Sequence, residues 1–203
     1  MTDGGAPAVP DERRVLLVDS PAGPRAAPLA RLAVALRAGG RGAEITRDAG
    51  AVDAAELRAY GAVVFAPGTG EAERAQVRAA CAAAGCGAVF VEDPAPLPPV
   101  LLAQVEQALW RGPVDGLRLA RLTVVGGQAR LEVTEACRVR VTGYRPGPLG
   151  RVRARELFDG RVGPGGRRVG VPVPWGMYVV ARCGAEVLVA RVSPQGAPPH
   201  RTG

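Results

Sequence analysis

The chain contains no lysine and no asparagine, a single isoleucine (Ile45) and two serines (Ser20 and Ser193), and every member of its Lys plus Arg total of 26 is an arginine. A very GC-rich coding sequence produces this bias, because Ala, Gly, Pro and Arg displace residues with AT-rich codons. Arginine abundance alone is therefore no sign of selection for anions; only its placement carries information. Histidine is nearly as scarce, with His200 alone in a Pro/Gly-rich tail. A hydrolase that relies on an imidazole base needs that ring within hydrogen-bond reach of its nucleophile, so this position argues against such chemistry and against a histidine metal centre. Carboxylate chemistry is the enzymatic route left open. Aromatic residues make up 4% of the chain, so any core must be built from Val, Leu and Ala. No apolar run of about 18 residues occurs, so no membrane span is expected. The opening segment MTDGGAPAVPDERR has neither a basic start nor an apolar centre, and a cytoplasmic protein without a secretory signal is expected. Its four cysteines (Cys81, Cys86, Cys137, Cys183) then read as reduced thiols in small apolar sites. Cys81 and Cys86 have no matching pair and no nearby histidine, which is poor metal spacing; neither a metal nor a cofactor is expected.

Charge is unevenly distributed. Residues 1–115 hold 11 Arg against 14 acids, a net of −3, whereas residues 116–203 hold 15 Arg against 5 acids, a net of +10. The formal excess of +7 thus lies in the C-terminal half. Codon bias applies to both halves equally, so the asymmetry points to a polyanionic or acidic partner, or to two parts of one molecule that attract each other.

Periodicity divides the chain at the same place. Residues 14–19 (RVLLVD), 43–46, 62–66 (AVVFA) and 88–92 (AVFVE) read as strands. Helical stretches at 26–38, 53–57, 71–84 and 100–110 alternate with them, the first closed by Gly39 and Gly40 and the second opened by Asp53 as N-cap. Uninterrupted apolar strands between helices predict a four-stranded parallel, doubly wound sheet over residues 12–113. After a GPVDG linker at 112–116, short strands are expected at 117–125, 129–134, 138–142, 152–157, 168–173, 177–182 and 187–192, separated by Gly/Pro turns. They predict an antiparallel β-sandwich over 117–193. Residues 1–11 and 194–203 read as disordered tails.

One local motif carries a resemblance. Residues 55–73 read AELRAYGAVVFAPGTGEAE, and a strand followed by Pro67, Gly68, Thr69 and Gly70 resembles the third strand and oxyanion loop of class I glutamine amidotransferases. Such a loop offers backbone amides and a helix N-terminus to negative charge. The family's catalytic cysteine follows the next strand, but here that strand ends Val91, Glu92, Asp93, Pro94, and the family's His and acid have no counterpart. The resemblance therefore implies the fold and a retained anion pocket without the reaction. Non-catalytic domains of similar topology serve assembly in the trimerisation domain of some β-galactosidases, and the succession of an α/β domain and a small sandwich is similar to that usage. Neither a receiver-domain acceptor Asp nor a P-loop is present, since Ala66 and Pro67 stand at the acceptor position and 19–25 (DSPAGPR) lacks the Gly spacing and the Lys. The closing stretch 157–182 is similar to the last strands of immunoglobulin-like modules.

Two candidate sites emerge. Strand C-termini in a parallel sheet converge on one edge, which gathers Asp19, Ser20, Gly68, Thr69, Gly70, Glu71, Glu92 and Asp93 as a ligand site for an anionic metabolite, with Glu92 or Asp93 as acid or base. The alternative is that the aspartates cap loops and helices. In the β half, Arg138 and Arg140 alternate with valines, as Arg151, Arg153 and Arg155 alternate with Val152 and Ala154. If the two strands share a face, five guanidinium groups form an anion-binding stripe. The alternative is a solvated face with Glu132 and Glu156 as cross-strand partners. An assembly or binding protein, with a protein partner or a second copy on its basic half, is the expected function; the alternatives are an enzyme or receptor for a small anionic metabolite (a nucleotide or sugar phosphate) at the Gly68–Glu71 loop, and binding of nucleic acid or another polyanion by the Arg stripe, and no membrane partner is expected.

Overall fold

The computed structural model of the chain describes residues 14–19, 27–48, 51–92, 94–110, 117–148, 151–172 and 177–192. The expectations for both tails, Ser20, Asp93, the 112–116 linker and His200 lie outside the described residues. The chain divides into two compact units, residues 1–94 and 95–203. No helix among the described residues is long and apolar enough to cross a membrane.

The first unit runs β1 (Arg14–Val18), α1 (Ala27–Ala38), β2 (Ala43–Thr46), α2 (Ala54–Leu57), β3 (Tyr60–Phe65), α3 (Glu71–Ala83) and β4 (Val89–Val91). Its sheet is four-stranded and wholly parallel, in the order β2-β1-β3-β4. The two central strands, β1 and β3, are the two continuous apolar runs, as strands buried on both faces must be; Val15 to Val18 and Ala62 to Phe65 are fully buried. Helix α1 stops because Gly40 takes φ +76°, which lets the Arg41 and Gly40 amides return to the carbonyls of Leu36 and Arg37. Asp53 caps α2 by accepting a hydrogen bond from the Ala55 amide at 3.1 Å. At the N-terminal end of the sheet the Tyr60 hydroxyl donates to Glu44 Oε2 at 2.8 Å, and Arg14 Nη2 donates to the same oxygen at 2.6 Å. That arrangement ties β1, β2 and β3 together. Burial, reinforced by the Glu44 carboxylate, pushes the Tyr60 phenol above the ordinary tyrosine range.

The second unit begins with α4 (Pro98–Leu109) and continues as β5 (Leu119–Val125), β6 (Gln128–Val133), β7 (Cys137–Pro146), β8 (Val152–Val162), β9 (Gly165–Gly170), β10 (Tyr178–Cys183) and β11 (Glu186–Arg191). The strands form two antiparallel sheets, β11-β10-β7-β8 and β5-β6-β9. One apolar cluster draws from both: Leu131, Val133 and Val169 from the smaller sheet, Val139, Val141, Val179 and Ala181 from the larger. Glu186, buried at the start of β11, accepts the backbone amides of Arg118 and Leu119 at 2.8 Å each and Arg118 Nε at 2.9 Å. A single carboxylate thus fastens the first strand of the unit to the last hairpin.

Two expectations change. The division falls beside Pro94 and Ala95, not in the 112–116 linker, because α4 belongs to the β unit. Val100 and Ala103 pack with Tyr178, Val180, Val187 and Val189, and Gln107 Oε1 accepts the Val189 amide at 3.0 Å. Strands β7 and β8 also run to Pro146 and Val162, well past the expected ends at 142 and 157, because they pair as one long hairpin.

Candidate functional site

The loop after β3 joins it to α3 through residues 66–70. Gly68 takes φ +92°, a conformation that favours glycine. Buried Thr69 turns its hydroxyl back to donate to the Ala66 carbonyl at 2.9 Å, and Gly70 opens α3 without a capping side chain. The sequence did not reveal what holds this edge. Arg74 donates to the Thr69 carbonyl at 3.1 Å and to the Glu92 carbonyl at 3.0 Å. Arg78 bridges the Glu71 carboxylate at 2.9 Å and the Glu92 carboxylate at 2.6 Å. Both guanidinium groups lie over the Phe65 ring, at 5.5 and 5.8 Å from its centre, and Phe65 in turn stacks on Phe90. The hydrogen bond to Glu92, followed by that to Glu71, raises the Arg78 pKa.

Gly68, Thr69, Gly70, Glu71 and Glu92 are therefore brought together, but Glu71 and Glu92 are committed to Arg78. The N-terminus of α3 also faces carboxylates of its own, Glu71 and Glu73 in its first turn, which already compensate the helix dipole. Asp19 is buried at the end of β1 and accepts from Arg47 at 3.4 Å, on the β2 side of the sheet. The acids of the edge are thus held in separate ion pairs. Arg74 and Arg78 stand at i and i+4 on α3, a spacing visible in the sequence; their acceptors, one strand away, were not.

In the β unit the register corrects the expected stripe. Arg138 lies opposite Arg161 and Arg140 opposite Asp159, but a bulge between Val141 and Thr142 shifts the remaining pairs, so that Thr142 meets Glu156, Gly143 meets Arg155 and Arg145 meets Arg153. One extra residue, Leu157, reverses the side of the β8 residues that precede it, 152–156, relative to those that follow it. Arg153 and Arg155 consequently share a face with Arg145, opposite to the face of Arg138 and Arg140, while Arg151 precedes the strand. The five guanidinium groups do not form one stripe. Arg138 and Arg140 are paired with Asp159 at 2.8 and 3.1 Å, and Arg140 lies 3.6 Å from Glu156, as the solvated-face alternative anticipated for Glu156. Those hydrogen bonds, Arg138 first, hold the Asp159 carboxyl below the usual carboxylate range.

A different pair stands unneutralised. On the outer face of the three-stranded sheet Arg130 lies directly opposite Arg168, with Thr123 on the other side of Arg130. Neither arginine has an ion-pair or hydrogen-bond partner among the described residues; Glu132 on the same face lies 4.0 Å from Arg121 instead. Gly166 and Gly170 flank Arg168, and an added Cβ at either would meet nothing within 4 Å, so this face is open. Alternation in β6 (Ala129, Leu131, Val133 inward) announces that Arg130 points outward; only register places it against Arg168.

The cysteines sit in pairs. Burial, followed by a hydrogen bond with Cys137, pushes the Cys183 thiol up to about 12, and burial followed by the neighbouring Cys86 pushes Cys81 up to about 11. No group of three or more potential metal ligands occurs among the described residues. The chain matches no family model, no curated protein and no solved structure.

Proposed function

We propose that the chain is a non-catalytic assembly or binding protein, in which a doubly wound, amidotransferase-like α/β unit acts as scaffold and an immunoglobulin-like β-sandwich docks an acidic protein surface in the cytoplasm. The observation that carries this proposal is the cross-strand pair of Arg130 and Arg168 on an open face. Two like charges directly opposite each other oppose strand pairing, and an external carboxylate would relieve that repulsion while gaining bidentate hydrogen bonds. The strand order β2-β1-β3-β4 with intervening helices supports the scaffold, and a core drawn from two antiparallel sheets supports the sandwich. In the α/β unit the commitment of Glu71 and Glu92 to Arg78 weighs against acid–base catalysis there. The outer face of β5, β6 and β9 presents Thr123, Val125, Gln128, Arg130 and Arg168 with no aromatic ring, so base stacking of the kind that single-stranded nucleic-acid binders use has no platform there.

The test is light scattering of the protein, alone and with a polyglutamate peptide, a heparin fragment or a short DNA, at about 50 and about 500 mM salt. The expected result is a salt-sensitive gain in mass with polyglutamate or by self-association, abolished in Arg130→Glu/Arg168→Glu. A gain confined to heparin or DNA, or one that the double variant leaves intact, overturns the proposal.

A further inference from the structure

A second group of arginines surrounds a cavity away from the face above. At the open end of the β7–β8 hairpin, Ala136, Cys137, Arg138, Gly160 and Arg161 line a hollow of about 430 Å³. Arg138 and Arg161 are direct cross-strand neighbours, so both side chains rise from the same face of the sheet. They are not equivalent. Arg138 donates through Nε alone to Asp159 Oδ1 at 2.8 Å, which fixes the plane of its guanidinium and leaves both terminal amino groups without a hydrogen bond among the described residues. Arg161 has no acidic partner among the described residues. Asp159 is shared with Arg140, so its charge is divided between two arginines and Arg161 remains uncompensated. Gly160 faces Val139 across the hairpin, so a side chain there would point away from the two arginines, and its Cβ would approach Phe158 Cζ to 3.0 Å.

We infer that this cavity binds the phosphoryl group of a phosphomonoester. Two juxtaposed guanidinium groups, one held in place by a carboxylate behind it, ask for an anion with more than one charge and acceptors in several directions. A phosphomonoester carries close to two negative charges and three acceptor oxygens, and arginine forks match it bidentately. The hollow is larger than a phosphoryl group requires, and Ala136 offers an apolar surface to the organic part. The site shares no residue with the Arg130 and Arg168 face, so it stands or falls separately from the docking proposal.

The experiment is a titration of the whole chain with inorganic phosphate at constant ionic strength, chloride being the balancing anion, followed by amide and arginine Nε resonances. Expected are saturable shifts confined to residues 136–138 and 160–161, and a loss of affinity of at least about tenfold in Arg161→Gln and in Arg138→Gln, the worth of a charge-assisted hydrogen bond. Arg31→Gln, on the exposed side of α1, should bind as the parent does. Phenyl phosphate and a phosphoserine peptide, titrated in parallel, separate the two sources of the group: tighter binding of the first marks a small-molecule ester, tighter binding of the second a phosphorylated chain, and either supports the site. Shifts that do not saturate, that appear at all exposed arginines alike, or that survive Arg161→Gln overturn the assignment. If neither ester binds more tightly than inorganic phosphate, the ester assignment falls.

Discussion

The two units handle charge in opposite ways. Residues 1–94 hold 10 Arg and 12 acids, and their ionic groups close on one another: Arg14 with Glu44 and Glu56, Arg47 with Asp19, Arg78 with Glu71 and Glu92. Residues 95–203 hold 16 Arg and 7 acids, an excess of nine arginines over side-chain carboxylates of their own unit. The acids that do occur there are placed for structure. Glu186 latches β5 to the β10–β11 hairpin, Glu106 meets Arg182 at 2.7 Å, and Asp159 serves two arginines. One unit is close to charge balance and the other carries a surplus of arginine, which is why both proposals fall on the β unit.

Three experiments sharpen that contrast, beginning with the largest effect. Leu131→Ala in the β unit and Leu16→Ala in the α/β unit each remove a fully buried side chain and should destabilise by about 2–5 kcal/mol in urea unfolding. Hydrogen exchange tells more: Leu131→Ala should expose the amides of β5 to β11 first and Leu16→Ala those of β1 to β4. Equal loss of protection across the whole chain from either variant would show that the two cores are one cooperative system.

Glu186→Ala comes next. It strands two backbone amides and the Arg118 guanidinium, and should lower stability by about 3 kcal/mol in the same assay, most of it the cost of amides left unpaired. Glu186→Gln, which keeps one acceptor oxygen, should cost less. An effect near zero would mean that the acids of the β unit are as dispensable as its surplus arginines.

The smallest effect concerns pH. The Asp159 carboxyl is held low by hydrogen bonds from Arg138 and then Arg140, so its contribution is present above the ordinary aspartate pKa and is lost as pH falls through the depressed folded value. Carbon-detected titration of the Asp159 carboxyl should give a midpoint below that of ordinary aspartate, and Arg138→Gln should move it upward. An unmoved midpoint would remove Arg138 as the cause of the depression and the basis for its fixed orientation at the cavity.

Much of the architecture was legible because it rests on local chemistry. The Gly39–Gly40 stop, the Asp53 cap and the apolar runs of β1 and β3 each follow from a few neighbouring residues, and each appears in the structure at or within a few residues of its expected place. The Pro67–Gly70 loop was legible for the same reason. Less visible was anything that depends on a partner far along the chain. The apolar stripe of α4 fits either unit equally well as a pattern, and contact with Tyr178, Val187 and Val189 decides where it packs. Arg74 and Arg78 look like solvated helix residues until Glu92 arrives from β4.

The arginines divide along the same line. Their surplus, its concentration after residue 115 and the outward orientation of Arg130, Arg138 and Arg140 were determined by the sequence alone, since composition and alternation are local properties. Which arginines confront each other was decided only by the tertiary structure. One bulged residue, Leu157, separates Arg153 and Arg155 from Arg138 and Arg140, while the pairing of β6 with β9 and of β7 with β8 sets Arg130 against Arg168 and Arg138 against Arg161. The physical reason is that a strand specifies the side to which each residue points relative to its neighbours in the chain, whereas hydrogen bonding across the sheet, residue by residue, specifies which residue it faces.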